Sequence, residues 1–408
     1  MATRYSSFAV LQVILTLFVI GTVPLLAHAA ETEIRFVAPN DAEGSSGAVI
    51  VPDLPLAHTG QFLPLDAKGN LVGAGDAAVQ VDAVLSQVDA ALKTVDSGEK
   101  PVIVKLHVIA ADLAAAGKVR EALAKRFAGD QKPAVSCVVG RLRAPGALVA
   151  LDAVAVLSSK VNARGVPAKS LARAAPVAVL SPGPKVYVSG QAEKGSDVAE
   201  MTRNTLNSLE ATLKHLGLGL KDIVQVKSFV GPFETVPQAE AEIVKFFAGR
   251  SPIPPLVFVE WTTAPSIEIE LIASAAGAAR DQSDTVEFIT PPGMSSSPVF
   301  SRVARMSAGP SIYISGLYGK TANNGATEVR EIFGELKDVL GKTGSDLRHL
   351  VKATYYVSTN EASTKLGEIR PEYYDPKRPP AASKAPVTST GRDGRTITID
   401  MIAAPLPK

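Results

Sequence analysis

Apolar side chains recur along this chain in two alternating periods, and the whole alternation is repeated three times. A helical stripe runs through Val81, Val84, Val88, Leu92 and Val95, returns at steps of three to five residues at Val198, Met201, Leu206, Leu209, Leu213 and Leu216, and returns again at Val329, Ile332, Phe333, Leu336 and Leu340. Ser196 is placed to cap the middle helix and Gly217 to stop it. Each stripe is one-sided, so each helix covers one face of a sheet. Behind each helix comes a run rich in β-branched and aromatic residues, at 102–108, 223–229 and 350–356, which reads as a strand. A second, shorter helix then ends in an aromatic, at Phe127, at Phe246-Phe247 and at Tyr373-Tyr374, and Pro133, Pro254 and Pro380 open the next strand. The last strand of each unit alternates strictly, from Val149 to Ala153, Ile267 to Leu271 and Ile397 to Met401, with an acid in register at Asp152, Glu270 and Asp400. With the initial strands read as a hairpin, the order strand, helix, strand, helix, strand predicts an α+β fold, a mixed sheet with two helices on one face.

Each unit starts with a strand that ends in a small hydroxyl residue and glycine: Thr59-Gly60, Ser189-Gly190 and Ser315-Gly316, whose glycines lie 130 and 126 residues apart. A sheet covered by helices on one side leaves its other apolar face to be buried, and two further copies in the same chain can bury it. The expected organisation is a signal segment at 1–30, a diverged first domain at 31–158, a linker and second domain at 159–280, and a linker and third domain at 281–408. The linkers run from Leu157 to Pro176, with four basic residues and no acid, and from Ser274 to Gly293, with the Pro291-Pro292 pair.

The first thirty residues stand apart. Arg4 precedes an apolar run from Phe8 to Leu26 that closes on Ala27-His28-Ala29-Ala30 and Glu31, the pattern of a secretory signal. Gln12, Thr16 and the Gly21-Thr22-Val23-Pro24 break favour a cleaved peptide over an uncleaved anchor, so the expectation is an exported protein, periplasmic or secreted, with no membrane attachment once the signal is removed. Composition agrees with a folded domain protein: 408 residues with 46% apolar, 20% charged and 5% aromatic side chains exclude collagen-like, disordered and multi-span classes. Forty-two basic and forty acidic residues give a net charge of +2, or +1 without Arg4, too balanced for a partner held by nucleic-acid phosphates. The single cysteine, Cys137, can form no intramolecular disulfide. The histidines (His28, His58, His107, His215 and His349) show no metal-ligand spacing, and there is no phosphate-binding glycine loop and no Gly-x-Ser-x-Gly elbow, so no metal or cofactor is expected.

Ser189-Gly190-Gln191, the helix to Gly217, the strand from Asp222, Phe246-Phe247 and the Ile267 to Ala273 strand together resemble the RidA (YjgF, or L-PSP endoribonuclease) family. The third unit is similar at Leu350 to Val357, at Arg370 to Tyr374 and at Pro379 to Lys384. The resemblance implies a homotrimeric architecture, three sheets around a central barrel with helices outside and ligand clefts between subunits. Three tandem copies then imply an intrachain pseudo-trimer, a monomer that needs no further subunits. Family members that hydrolyse reactive 2-imino or enamino acids hold the substrate carboxylate with an arginine two residues after the strand-opening proline. Here those positions are Val135, Leu256 and Ala382, so the planar bidentate carboxylate anchor is missing from every copy.

What persists defines the candidate site. Thr59-Gly60, Ser189-Gly190 and Ser315-Gly316 match the family's hydroxyl-plus-amide pair, or else serve only backbone geometry. Glu268 matches the carboxylate that orients water in active relatives, replaced by Ala150 and Thr398 in the other copies; its alternative is an ion pair across a domain interface. Lys384, one pleat beyond Ala382, offers a substitute anion-binding charge, or is a solvated lysine. Cys137 stands at the matching position of the first copy and reads as buried and inert, Trp261 as an interface residue, and the three recurring acids as structural. The leading expectation is a protein that binds a small metabolite, anionic in the favoured case, in interdomain clefts without standard deamination. The alternatives are a deaminase or related hydrolase acting through Glu268, and a scaffold for a protein partner.

Overall fold

The computed structural model describes Met1, residues 33–96, 98, 100–161, 173–278 and 284–407; the segment at 1–30 expected to be a signal lies outside the described residues apart from Met1. The first repeat contains β1 (Arg35–Asn40), β2 (Ser45–Val51), β3 (Leu56–Thr59), α1 (Ala77–Lys93), β4 (Val102–Ala110), α2 (Leu113–Arg126), β5 (Ala134–Val139) and β6 (Val149–Val156). The second contains β7 (Val177–Leu180), β8 (Lys185–Gln191), α3 (Val198–His215), β9 (Ile223–Val230), α4 (Val236–Phe247), β10 (Leu256–Glu260) and β11 (Ile267–Ser274). The third contains β12 (Val286–Ile289), β13 (Val303–Met306), β14 (Ser311–Ile314), α5 (Gly325–Lys342), β15 (Leu350–Val357), α6 (Asn360–Ile369), β16 (Ala381–Pro386) and β17 (Ile397–Ala403).

In every repeat the strand after the long helix is the hub. It pairs parallel with the proline-led strand (β4 with β5, β9 with β10, β15 with β16) and antiparallel with the last strand (β6, β11 and β17), which makes each sheet mixed as expected. The helical stripes do what their periodicity predicts. Leu206, Leu209 and Leu213 of α3 are buried against Val226, Phe258 and Ile269, and each such leucine contributes about 2 kcal/mol by leaving water. Asp197, one residue after the expected Ser196, caps α3 by accepting from the Glu200 amide, while Gly217 ends it at φ +74°, a conformation that favours glycine.

Two expectations are corrected. The two strands on either side of each repeat's proline-bearing connection do not pair with each other as a hairpin, although β1 and β2 do form one ahead of β3. Counting β2, β7 and β13 as the first strands of the repeating unit and β3, β8 and β14 as the second, each first strand joins the second strand of another repeat: β7 pairs with β3, β13 with β8 and β2 with β14, all antiparallel. The connections Pro52-Asp53-Leu54-Pro55, Ser181-Pro182-Gly183-Pro184 and Ser307-Ala308-Gly309-Pro310 each end in a proline, which has no N–H for the first rung of a tight hairpin, and none carries an Asn-Gly-type turn. The three exchanges close a circuit through all three repeats. Asp53 reinforces one of them by accepting from Lys185 Nζ (2.8 Å) and the Gly183 amide (2.9 Å). Second, the stretch from Ser274 to Gly293 is not all linker, because β12 within it extends the sheet beside β13.

Three outer cores lie between each repeat's helices and its own sheet. A further core is shared by all three repeats and includes Val49, Leu56, Tyr187, Val224, Tyr313 and Ile402. The other sheet face is therefore buried against sister repeats. Among the described residues no helix is long and apolar enough to cross a membrane.

Candidate functional site

Strand exchange brings the end of each repeat's second strand against the proline-led strand of another repeat, which creates three related clefts. Their backbone register can be read from hydrogen bonds. The amides of Gly60, Ser189 and Ser315 each donate to a carbonyl at or near the start of an exchanged strand, of Pro176, Arg302 and Gly47, all at 3.0 Å. The next amides, of Gln61, Gly190 and Gly316, face Leu256 O, Ser383 Oγ and Val135 O. The glycine marker is thus one residue out of register in the first repeat. Thr59 does not match Ser189 and Ser315; its hydroxyl turns into its own repeat, accepting from the Ala153 amide at 2.8 Å. Gly60 occupies the hydroxyl position and Gln61 the glycine position. His58 correspondingly stands where Tyr187 and Tyr313 stand, since these three pair with Val154, Ile272 and Ile402.

Two clefts are occupied by the protein's own side chains. Between the first and second repeats, Gln61 donates to Phe258 O (3.0 Å), and the fully buried Phe258 takes the position that Lys384 holds in the third repeat. Between the third and first, the Tyr318 hydroxyl lies within hydrogen-bond distance of the carbonyls of Cys137 (3.2 Å) and Thr390 (3.0 Å), and Ser315 is engaged by Ser46 O and the Val135 amide. Thr398, in the Glu268 position, donates to Leu317 O. Burial pushes the Cys137 thiol up to about 11, so it is protonated and inert at neutral pH, as expected.

The cleft between the second and third repeats is open, with a cavity of about 650 Å³. Gly190, Glu268 and Trp261 line it from one side, Arg370, Ala382, Ser383 and Lys384 from the other. Glu268 lies directly over Gly190: a β-carbon added there would come within 1.9 Å of Glu268 Oε1. Burial raises the Glu268 pKa to about 7, the charge of Glu270 adds to the rise, and the Ser383 hydroxyl and Lys352 oppose it. Ser383 accepts from the Gly190 amide (3.2 Å) and donates to Glu270 Oε2 (2.7 Å), fixing the wall behind Glu268. Among the described residues the Ser189 hydroxyl and Trp261 Nε1 are buried without a hydrogen-bond partner. Ala382 leaves the family's arginine position empty of charge, yet two cations face the cavity. Lys384 is one; burial and the neighbouring Arg370 lower its pKa. Arg370, which sequence reasoning passed over, is the other. It follows α6, and nothing in its spacing marks it as pointing into a cleft.

Gly190→Ala is expected to fold with a loss of about 1 kcal/mol or less, since the glutamate can swing aside, and to return the Glu268 pKa toward the ordinary carboxylate range. A carbon-13 titration of the glutamate carboxyls checks this, and an unchanged Glu268 would refute the steric argument.

The recurring acids meet in the interior. Asp400 pairs with Lys105 (3.0 Å) and Glu270 with Lys352 (2.7 Å), each across two repeats. Asp152 instead accepts from His107 Nδ1 (3.0 Å), whose Nε2 meets the Tyr356 hydroxyl at 2.9 Å. The third lysine position is Gln225, which donates to Thr59 O, and Lys227 stands two residues further along. Asp400 and Glu270 thus tie repeats together directly and Asp152 does so through His107 and Tyr356, consistent with their structural reading.

Comparison with known proteins fits this architecture. The family model described as Endoribonuclease L-PSP matches residues 37–157, 168–275 and 294–405, so the chain belongs to that family, and it does so three times over. Similar solved structures each cover about one repeat. They include a YjgF-family protein of Neisseria meningitidis (17% identity, 30% of this chain and 97% of that one, TM-score 0.23) and the YjgF gene product of Escherichia coli (26%, 27% and 97%, TM-score 0.22). Another is Escherichia coli TdcF with bound serine (22%, 27% and 98%, TM-score 0.22). No curated protein matches the sequence.

Proposed function

We propose that the cleft between the second and third repeats binds a small anionic metabolite, and that the protein does so after export directed by residues 1–30, as a monomer whose single chain supplies the family's three subunits. The observation that carries this reading is the contrast among clefts: Gln61, Phe258 and Tyr318 fill two of them, while the third has a cavity of about 650 Å³ with polar groups converging on it. The cations supply what Ala382 does not. Thermal-shift screening of the mature protein against metabolite carboxylates, amines and neutral amides tests it. A stabilising carboxylate whose effect is lost in a variant carrying Ala382→Trp supports the reading, and no stabilisation by any class would sink it.

A second reading is favoured by Glu268 specifically. A carboxyl that titrates near 7 is matched to acid-base work at neutral pH. Hydrolysis of a 2-imino acid adds water across the C=N bond and releases ammonia and a 2-oxo acid; in this reading Glu268 takes the water proton and returns it to nitrogen. Ammonia release from 2-imino acids generated in situ should then exceed the uncatalysed rate and fall by about 100-fold or more in Glu268→Gln. Equal rates with and without protein would leave binding alone.

A further inference from the structure

Arg370 follows α6 and lays its guanidinium over the Tyr355 ring, 4.8 Å from the centroid, and the Tyr355 hydroxyl is hydrogen-bonded in turn to that of Tyr374. The guanidinium is held by this stack and by an interaction with the Tyr355 side chain, while among the described residues Arg370 Nε is buried with no hydrogen-bond partner. Lys384 is the direct cross-strand neighbour of Tyr355 in the parallel pair of β15 with β16. The two cations therefore converge over one residue and line one cavity. Among the described residues neither forms an ion pair, although twelve of the protein's other arginines and lysines with short contacts to carboxylates show how readily this chain neutralises such charges.

Like charges brought together in a partly desolvated cleft repel each other, and a single carboxylate would neutralise only one of them. We propose that Arg370 and Lys384 form a two-cation anchor for the dianionic end of a small ligand, a dicarboxylate or a phosphate monoester. The anchor replaces an arginine on the proline-led strand by one supplied from the end of a helix, so the anion is held on the Ala382 side of the cleft by Arg370 and Lys384 together. Guanidinium offers the bidentate fork and ammonium a point charge, a combination that accepts either oxyanion geometry.

This inference rests on the reading of the same cleft as a ligand site, and the test separates the two. The full mature chain is titrated calorimetrically with malonate, inorganic phosphate and acetate at constant ionic strength, as wild type, Lys384→Gln and Arg370→Gln. Lys384 is solvent-exposed, so its variant keeps the proposal testable if removing the Arg370 stack impairs folding. Expected is binding of malonate or phosphate at least tenfold tighter than acetate, weakened about tenfold or more by either substitution, with malonate and phosphate distinguishing the two oxyanion classes. Acetate binding as tightly as both dianions, or dianion binding unchanged in Lys384→Gln and Arg370→Gln, overturns the anchor while leaving the cleft a ligand site. If none of the three probes binds wild type, the anchor is overturned, and the neutral and cationic compounds of the thermal-shift screen then decide the fate of the cleft.

Discussion

Lys105→Met should destabilise the folded protein by about 3–5 kcal/mol, the largest single effect expected among its charged side chains. The ammonium lies almost wholly out of water and has three acceptors, Ser136 Oγ (2.8 Å), Ile314 O (2.8 Å) and Asp400 Oδ1 (3.0 Å), the last two supplied by another repeat. Methionine matches the length of the stem but none of the charge. Burial alone would push the Asp400 carboxyl up, yet Lys105, Lys227 and His107 outweigh it and hold its pKa far below the usual carboxylate range. Removing Lys105 leaves that carboxylate buried beside weaker compensation, and it must then either take up a proton or remain charged at high cost. Urea denaturation at pH 7 measures the loss. Asp400→Leu added to Lys105→Met should recover a large part of it, because an apolar pair leaves no orphaned charge. A loss under about 1 kcal/mol for the single variant would mean that water reaches this interior, contrary to the burial of both partners.

The same ion pairs show what the sequence makes legible and what it hides. Asp152, Glu270 and Asp400 recur at one position of an alternating strand, so their common role is readable from periodicity. Their lysines are not in step. Lys105 and Lys352 share a position, but the third copy of that position is Gln225, and Lys227 lies one pleat away, so only the folded register shows which cation serves which acid. Helices, hub strands, proline-led strands and the family followed from side-chain pattern because burial selects side chains. The strand exchange did not, because ladder hydrogen bonds are made by backbone and a first strand reads alike whether it pairs at home or abroad. Thr59-Gly60-Gln61 misled for a related reason. The Gly-Gln pair it shares with Gly190-Gln191 suggests one alignment, while the ladder, through His58 opposite Val154, imposes another. Of the predicted site residues, Ser189, Gly190, Glu268 and Lys384 belong to the cleft between the second and third repeats, whereas Ser315 and Gly316 lie in the cleft that Tyr318 fills. That asymmetry depends on side-chain volume contributed by two repeats at once, which no single stretch of sequence contains.

Stability should also report the state of Glu268. Its pKa in the folded protein is raised from an ordinary 4.5 to about 7, so between those values the native state binds a proton that the unfolded chain has released. A raised carboxyl makes folding most favourable below the unfolded value, and that contribution is lost as pH rises from about 4.5 through 7, levelling beyond. With allowance for partial solvent access, the loss is about 2–3 kcal/mol by pH 8. The wild-type profile mixes this with an opposite slope from His58, which burial holds down at about 4 and which therefore costs stability as pH falls below 6.5. The informative quantity is the difference between Glu268→Gln and wild type, in which His58 and Asp400 cancel. Glutamine cannot ionise, so the variant should gain on wild type by about 2 kcal/mol between pH 5 and pH 8 in urea midpoints converted at constant m-value. Parallel pH profiles would place the folded Glu268 pKa near its unfolded value and remove the physical ground for acid-base work in the cleft. The burial of Glu268 argues against that outcome, because it is the largest cause of the rise and the charge of Glu270, two residues on, adds to it.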